Sequence, residues 1–382
     1  MQRGDKMKRL EFFLLFMALT ALLLTACTNT AEQSLPKEVP YRFQDVNGYF
    51  VDTGKAEYYL KASENGNIYF TEKGEHTFYL LCNKPDCAHS DQNCNAYGGL
   101  ALGYYDNHLY SVICDDTTFS FDLIRMELDG SHHQKVTTLP KQRSSDGATA
   151  GEGGSYFFHK DSLIFAIEPL SEDAHSTQKY YKINLDTGEA ELLFDNAVEP
   201  LQRGGWRCSV SNGNLYFVLT DAKTGHSTLM EGNINDNAVT LTIEDWNNFN
   251  STPVCFGDTL YYFKSDEGLC EYSRSSHQET LKVPLPYYVG FISYTDDYIL
   301  CQLTADREFD GDWDFLVFDR EYRLLGKVPL GNYLTVPSME YITDEVIYFS
   351  TGAHEKITHY VKLSDIEKDF ELIPLTDPYA TR

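Results

Sequence analysis

The chain has 382 residues, of which 42% are hydrophobic and 14% aromatic, a composition that excludes an intrinsically disordered protein. It has 31 Lys and Arg against 57 Asp and Glu, a formal net charge of −26, which argues against binding nucleic acid or docking electrostatically on anionic lipid. The length exceeds one compact two-layer core, so it favours several small domains or one repetitive fold.

Residues 1–26 have the pattern of a lipoprotein signal peptide. Four basic residues, of which Lys6, Lys8 and Arg9 lie closest, and two acidic residues precede the largely apolar stretch 12–26. As a helix this stretch would rise only about 22 Å, against about 30 Å for a bilayer core, so it is a signal sequence rather than a membrane span. It ends in Leu24-Thr25-Ala26-Cys27, which resembles the bacterial lipobox. Without the leader, whose charge is +2, the mature chain has a charge near −28.

The lipobox resemblance implies that Cys27 carries a diacylglyceryl group with acyl chains such as palmitate. Two acyl chains give stable membrane anchoring. The alternative is an ordinary secretory leader that ends at a cysteine by chance. We therefore expect a protein that is extracytoplasmic and lipid-anchored to the bacterial cell membrane, with a flexible tether at 27–40 and one folded domain at 41–382.

Beyond the tether a short phrase recurs: turn residues, a branched or aliphatic residue, then an aromatic and an apolar or small residue. Its seven copies are anchored, 39 to 54 residues apart, at Tyr69, Tyr110, Ile164, Tyr216, Tyr261, Leu300 and Tyr348. Each phrase predicts a turn that leads into a strand, and further alternating strands follow. Several strands per period of this length are typical of a propeller blade.

The recurrence predicts an all-β fold, a single β-propeller with seven blades, with six or eight blades as alternatives and a pair of β-sandwiches as a weaker one. The segment Tyr41 to Val51 lies too close to the first anchor to form a blade of its own. We expect it to supply a strand that closes the ring against the last blade near 360–375, because closure removes exposed sheet edges.

The phrase Ile68-Tyr69-Phe70-Thr71-Glu72 is similar to the Tyr-Trp-Thr-Asp repeat of low-density-lipoprotein-receptor-like and TolB-like propellers. This resemblance covers about 41–375, although receptor-type propellers usually have six blades and the repeat here lacks Trp. The segment from Leu81 to Tyr97 resembles a signature of uncharacterised lipoproteins of anaerobic Gram-positive bacteria. Both resemblances imply architecture and location, and neither implies an activity.

Motifs of catalysis are missing from the sequence, so no catalytic residue is predicted. It contains no Gly-x-Ser-x-Gly elbow, phosphate-binding loop, dinucleotide fingerprint or His-Glu-x-x-His. The favoured hypothesis is a surface-anchored, non-enzymatic module that binds a glycan, a peptide or an envelope protein through one propeller face. The alternative is an extracellular carbohydrate-active enzyme, a lyase or hydrolase, with its site at the central channel, since fold alone does not decide function.

One ligand-binding candidate is the segment Arg203, Trp206 and Arg207. It surrounds the last of three Gly-Gly pairs, at 98–99, 153–154 and 204–205, which lie 11 or 12 residues before their anchors. We expect each pair at the entry to an innermost strand, where glycine allows a close backbone approach. Two arginines beside a tryptophan suit a sugar face or an anionic group, whereas the alternative is that they only serve blade packing.

The second candidate is Cys82, Cys87, His89 and Cys94, written C-x4-C-x-H-x4-C. Three thiolates and an imidazole are a ligand set for tetrahedral zinc. Outside a membrane a disulfide is the default for close cysteines, and we favour it here over structural zinc, with free thiols as the third alternative. A disulfide or a zinc ion would both staple a long loop at the first blade.

Overall fold

The computed structural model describes residues 48–61, 66–91, 93–115, 120–140, 156–167, 178–196, 208–211, 213–220, 227–235, 237–244, 246, 253–264, 267–285, 288–294, 297–304, 314–330, 338–343, 345–350, 357–366 and 372–375. Within these ranges lie seven four-stranded antiparallel sheets, each built from four consecutive strands. The chain is therefore an all-β, seven-bladed propeller, as the recurrence predicts.

Blades 1 to 4 contain the first sixteen strands in chain order. Blade 1 consists of β1 (Phe50–Asp52), β2 (Ala56–Lys61), β3 (Asn67–Glu72) and β4 (Tyr79–Leu80). Blade 2 consists of β5 (Ala101–Tyr105), β6 (His108–Asp115), β7 (Ser120–Met126) and β8 (Gln134–Thr138). Blade 3 consists of β9 (Tyr156–His159), β10 (Ser162–Ile167), β11 (Gln178–Asn184) and β12 (Ala190–Asn196). Blade 4 consists of β13 (Cys208–Ser211), β14 (Asn214–Thr220), β15 (Ser227–Asn233) and β16 (Val239–Ile243).

Blades 5 to 7 contain the remaining strands. Blade 5 consists of β17 (Val254–Phe256), β18 (Thr259–Lys264), β19 (Gly268–Ser273) and β20 (Gln278–Pro284). Blade 6 consists of β21 (Tyr288–Tyr294), β22 (Tyr298–Thr304), β23 (Asp314–Asp319) and β24 (Leu324–Pro329). Blade 7 consists of β25 (Ser338–Ile342), β26 (Val346–Ser350), β27 (Ile357–Lys362) and β28 (Ile373–Pro374), with a 3-10 turn at Leu363–Asp365.

Burial within a blade decreases from the inner strands to the fourth strand. The second strand β26 is buried at every position, because each blade packs face to face on both neighbours. Such strands read as continuous apolar runs. The fourth strand β20 is exposed at nearly every position. In blades 2 to 6 the pairing of the third and fourth strands is shifted by a β-bulge, which twists the exposed edge and disfavours edge-to-edge association.

Six of the seven sequence anchors lie on second strands, but Tyr69 lies on β3, the third strand of blade 1. By strand register its equivalent on β2 is Tyr58, which pairs with both Val51 and Phe70 and packs toward the next blade as the other anchors do. The recurring phrase predicts any strand that turn-forming residues precede. In blade 1 it therefore identified β3, the strand after β2.

The expected closing strand is not formed by the described residues. β1 pairs with β2 as the first strand of blade 1, and β28 is the fourth strand of blade 7; residues 41–47 lie outside the described residues. Blade 1 has four strands of its own, so β1 needs no partner in blade 7. Side chains close the ring instead, and the ring of Phe50 stacks on that of Tyr341 with 14° between the planes.

Neighbouring blades are joined by a recurring contact. The third-strand residue opposite the anchor position reaches the turn between the third and fourth strands of the next blade. The four described examples are Lys182 Nζ donating to Ile234 O (3.3 Å), Arg274 Nη2 on Glu231 Oε1 (2.5 Å), Tyr322 Oη donating to Glu271 Oε1 (2.7 Å) and the ring of His76 stacked on Tyr360 (4.5 Å between centroids). The repeat unit therefore specifies junctions as well as blades.

Candidate functional site

The loop between β4 and β5 brings together the four residues of the C-x4-C-x-H-x4-C motif. The ligand atoms of Cys82, Cys87, His89 and Cys94 all lie within 4.8 Å of one another. Cys94 is buried and the other three are half-buried. Of the residues that the structure describes, only these four form such a group of three or more His, Cys, Asp or Glu side chains.

The distances are close to those of a tetrahedral zinc site. Zn–S bonds of about 2.3 Å and Zn–N bonds of about 2.0–2.1 Å place neighbouring sulfurs about 3.8 Å apart and a nitrogen about 3.6 Å from each sulfur. Nδ1 of His89 lies 3.4 Å from Sγ of Cys94, and no separation between the ligand atoms of the group exceeds the ideal by more than about 1 Å. Small side-chain adjustments would therefore complete the coordination sphere.

Local turns shape this loop. A turn with Pro85 at its second position ends where the Cys87 N–H donates to Lys84 O (3.2 Å). A second turn starts at Asp91, whose carboxylate accepts from the Asn93 N–H (2.9 Å). These turns reverse the chain twice and direct its cysteines inward.

Two further contacts fix the ends of the motif. His89 has a φ of 56°, in the left-handed region, and its carbonyl accepts from Asn67 Nδ2 at the start of β3 (3.2 Å). Lys84 Nζ donates to Asn93 O across the loop (2.7 Å). Sequence reasoning missed both contacts, because only the folded loop brings Asn67 to His89 and Lys84 to Asn93.

The surroundings of Cys82 favour a thiolate. Burial raises the pKa of this thiol, but backbone N–H donors of Lys84 and Asn95 and hydrogen bonds from the neighbouring thiols lower it by more, so the net pKa lies below the usual range. Burial raises the pKa of Cys94, and the adjacent thiols raise it further. Sγ of Cys94 also accepts from the Ala96 N–H (3.3 Å), a type of contact that orients the thiolates of metal sites.

The motif lies between the first two blades. Cys94 is fully buried in a cluster with Leu81 and Ala96 of the loop and with Leu109 and Met126 of blade 2. The loop thus bridges blade 1 and blade 2. The placement agrees with the expectation of a structural staple at the first blade.

None of the seven cysteines whose side chains the structure describes forms a disulfide: these are the three of the motif and Cys114, Cys255, Cys270 and Cys301. The favoured disulfide is therefore not formed among them. The thiols converge with an imidazole in the arrangement that the zinc alternative requires.

The first Gly-Gly pair lies where the sequence predicts, at the entry to the innermost strand β5. A Cβ on Gly98 would lie 2.4 Å from Ile68 Cγ1, and one on Gly99, whose φ is +69°, would lie 2.4 Å from Val112 O. Blade packing therefore requires this pair. The pairs at 153–154 and 204–205 lie outside the described residues.

The remaining predicted site residues are Cys27, Arg203, Trp206 and Arg207, all of which lie outside the described residues. None of the described residues forms a helix with the length and hydropathy that crossing a bilayer requires.

The comparisons with known proteins show a fold and no family. No protein-family model and no curated protein sequence matches this chain. A structure from a study of two prolyl endopeptidases is 12% identical, with a TM-score of 0.51 and coverage of 87% of this chain but 49% of that one, so this chain spans about half its length. This likeness shows the propeller fold alone.

Two other solved structures align less well. The computationally designed Ika8 protein is 10% identical, covers 81% of this chain and 94% of its own, and has a TM-score of 0.45. BamB from Moraxella catarrhalis is 11% identical, covers 90% of this chain and 89% of its own, and has a TM-score of 0.46. Nothing about function is transferred from either structure.

Proposed function

We propose that this protein is a membrane-anchored propeller that binds an extracytoplasmic partner, and that a structural zinc ion joins its first two blades. The observation that carries the metal assignment is the convergence of Cys82, Cys87, His89 and Cys94 within 4.8 Å. The anchor at Cys27 and the binding role go beyond this observation and have their own tests.

The donor set fits zinc better than a hard cation. Thiolate and imidazole ligands suit zinc, whereas calcium and magnesium take oxygen ligands. With four protein ligands in a tetrahedron no coordination position is left for water, which is the arrangement of structural rather than catalytic zinc. The backbone N–H groups that donate to Cys82 and to Cys94 offset part of the negative charge that three thiolates would carry.

Zinc would give this loop the stability that its own side chains do not provide. The segment 82–91 is exposed or half-buried at every position, so it buries little apolar surface. Metal binding contributes directly to the folding free energy of such a segment. The ion would hold the loop against blade 2 and so fix the first junction of the ring.

Metal analysis of protein purified without added metal tests the assignment. We expect one zinc per chain, lost in Cys87→Ser and retained in Cys114→Ser, the matched control, because Cys114 is a half-buried cysteine outside the motif that forms no disulfide. Chelation should also increase proteolysis within the loop in wild type. Metal-free protein with either reduced motif cysteines or a disulfide among them would refute the zinc assignment.

The binding role is supported by the architecture and by one sequence feature. Propellers present broad faces for partners, and Arg203, Trp206 and Arg207 offer a stacking surface with positive charge in an otherwise strongly acidic chain. A sugar face or an anionic glycan fits this chemistry. A peptide or an envelope protein would use the same face.

A screen of glycans and peptidoglycan fragments against soluble residues 28–382 tests the binding role. For a fragment that binds, Trp206→Ala should weaken affinity by about tenfold or more. Arg323→Ala, at an exposed turn of blade 6, is the control and should leave affinity unchanged. Equal binding by wild type and Trp206→Ala would exclude this segment, and an empty screen would exclude glycan binding.

The anchor is tested separately in the full chain. Cys27→Ala should remove the acyl label and either release the mature chain or leave its leader attached. Acyl label that persists in this variant would refute lipidation at Cys27.

A further inference from the structure

A chain of three polar side chains, the buried Glu57 and Tyr348 and the half-buried His76, spans the junction where blade 7 meets blade 1. Tyr348 on β26 donates from Oη to Oε2 of Glu57 on β2 (2.8 Å). Nδ1 of His76, in the turn between β3 and β4, lies 2.8 Å from the same Oη. The ring of His76 also stacks on Tyr360 of blade 7, so both blades contribute to the chain.

The charges around Glu57 do not compensate for its burial. Glu57 is 2% exposed. Its neighbours include the carboxylates of Asp52, on β1, and Glu345, in the turn before β26, and Lys73 is the nearby cation. Nζ of Lys73 pairs with Asp52 (3.7 Å). A charge on Glu57 would therefore be buried beside two other negative charges.

Glu57 and His76 respond to this environment in opposite directions. Burial raises the pKa of Glu57 to about 7; the hydrogen bond from Tyr348 lowers it, Asp52 and Glu345 raise it, and Lys73 lowers it. For His76, burial lowers the pKa, Glu345 raises it and Lys362 on β27 lowers it. Below about pH 7 the junction therefore holds a neutral carboxyl group at Glu57, and burial favours the neutral imidazole of His76.

We propose that Glu57, Tyr348 and His76 form a proton-dependent latch that closes the propeller ring. With Glu57 protonated, its O–H donates to Tyr348 Oη, which donates to Nδ1 of His76, so every group is hydrogen-bonded and uncharged. When pH rises, the Glu57 proton passes to solvent and leaves a buried carboxylate. The junction then opens more readily, so that the carboxylate can reach water.

Within the part of the chain that the structure describes, blades 7 and 1 share no strand, so the latch joins two separate sheets. Among the described residues, side chains such as Phe50 and Tyr341 hold this junction in place of backbone ladders. At the junction of blades 4 and 5, the buried Glu231 instead contacts Arg274 through both carboxylate oxygens. That junction provides an internal reference in the same molecule.

Hydrogen exchange, corrected for the intrinsic rates at each pH, tests the proposal in the full chain. Relative to Glu57→Gln, the opening constant of segment 50–61 in wild type should rise about tenfold per pH unit between about pH 5 and 7 and level off above about pH 8. His76 titrates in wild type and in Glu57→Gln alike. The comparison therefore cancels the contribution of His76 to the pH dependence of opening, which has the opposite sign to that of Glu57. Segment 227–243 of blade 4 should show no such difference.

Two further variants keep the test decisive. Glu231→Gln makes the same substitution at a glutamate that has a cation, and should leave the pH dependence of segment 50–61 unchanged. Tyr348→Phe removes a hydrogen bond that lowers the pKa of Glu57, so it should move the midpoint to higher pH. Equal pH dependence in wild type and Glu57→Gln, or an unchanged midpoint in Tyr348→Phe, would overturn the latch.

Discussion

The junction between blades 4 and 5 and the junction between blades 7 and 1 both bury a glutamate, but they surround it differently. Glu231 is fully buried and accepts hydrogen bonds from Arg274, Asn214 and Thr240. Glu57 is equally buried and accepts from Tyr348, while the nearest lysine pairs with another carboxylate. Whether a cation is buried with the carboxylate decides what the junction can do.

Glu231 lies on the third strand β15 and Glu57 on the second strand β2, and the comparison teaches that a glutamate buried at a blade junction can serve two purposes. A glutamate paired with a bidentate arginine stabilises the junction at all pH values where the glutamate is ionised. Removing either partner leaves a buried charge or an unpaired cation. A glutamate with a hydroxyl partner is held tightly only while it is protonated. The following predictions test this distinction.

The largest effect is expected for Arg274→Met in blade 5. This change leaves Glu231 buried without its cation, which should cost about 3–5 kcal/mol of unfolding free energy in urea denaturation. The double variant Glu231→Gln with Arg274→Met should recover much of the loss, since no charge remains buried. A loss below about 1 kcal/mol in the single variant would show that water reaches Glu231.

The next effect is the pH dependence of Glu57→Gln. The pKa of Glu57 is about 7 in the folded chain against 4.5 as a free side chain, so the folded state binds this proton more tightly. The contribution of this bound proton to the free energy of unfolding is fully present below about pH 4.5 and is lost as pH rises through about 7. Glu57→Gln should therefore match wild type at pH 4 and be more stable by about 3 kcal/mol at pH 8 in urea unfolding. A pH-independent difference would contradict the assignment.

A paired removal of hydroxyl groups sharpens the comparison. Tyr348→Phe should cost about 1–3 kcal/mol, because Glu57 and His76 lose their shared partner in a buried site. Tyr322→Phe should cost about 0.5–1.5 kcal/mol, because Glu271 is partly exposed and keeps its ion pair with Lys282 (2.8 Å). Thermal unfolding of both variants at pH 7 measures the difference, and equal losses would show that the surroundings do not matter.

The smallest effect is expected at the junction of blades 3 and 4. Lys182→Met removes the hydrogen bond from Nζ to Ile234 O but keeps the apolar stem of the side chain, so the loss should stay below about 1 kcal/mol. Urea unfolding with Lys179→Met as the control, on the same strand, measures it. A loss as large as that of Arg274→Met would mean that lysine at this position also neutralises a buried charge.

Much of the fold was predictable because its signals are local. Tyr110 and Tyr216 lie on second strands as predicted, since a tight turn followed by alternating residues is enough to specify a strand. The recurrence then gives the blade number. The misplaced anchor at Tyr69 has the same cause, because turn-favouring residues precede both middle strands of blade 1 in the sequence and the local pattern does not rank them.

The candidate metal site was only partly predictable. The spacing of Cys82, Cys87, His89 and Cys94 identifies the four residues, because all lie within one loop. It does not choose between a disulfide and a metal, since that choice depends on how the side chains converge. Asn67 and the donors at Cys82 belong to the folded loop, and no sequence pattern marks them.

By itself the sequence determined the all-β class, the seven repeats and the residues of the cysteine motif, because each depends on neighbours along the chain. The tertiary structure alone decided how the ring closes and which buried groups carry a proton. The contacts that do so join Tyr348 to His76 and Glu57, which are 272 and 291 positions away. The pKa of a carboxyl group depends on burial and on charges within a few ångströms, and folding sets both.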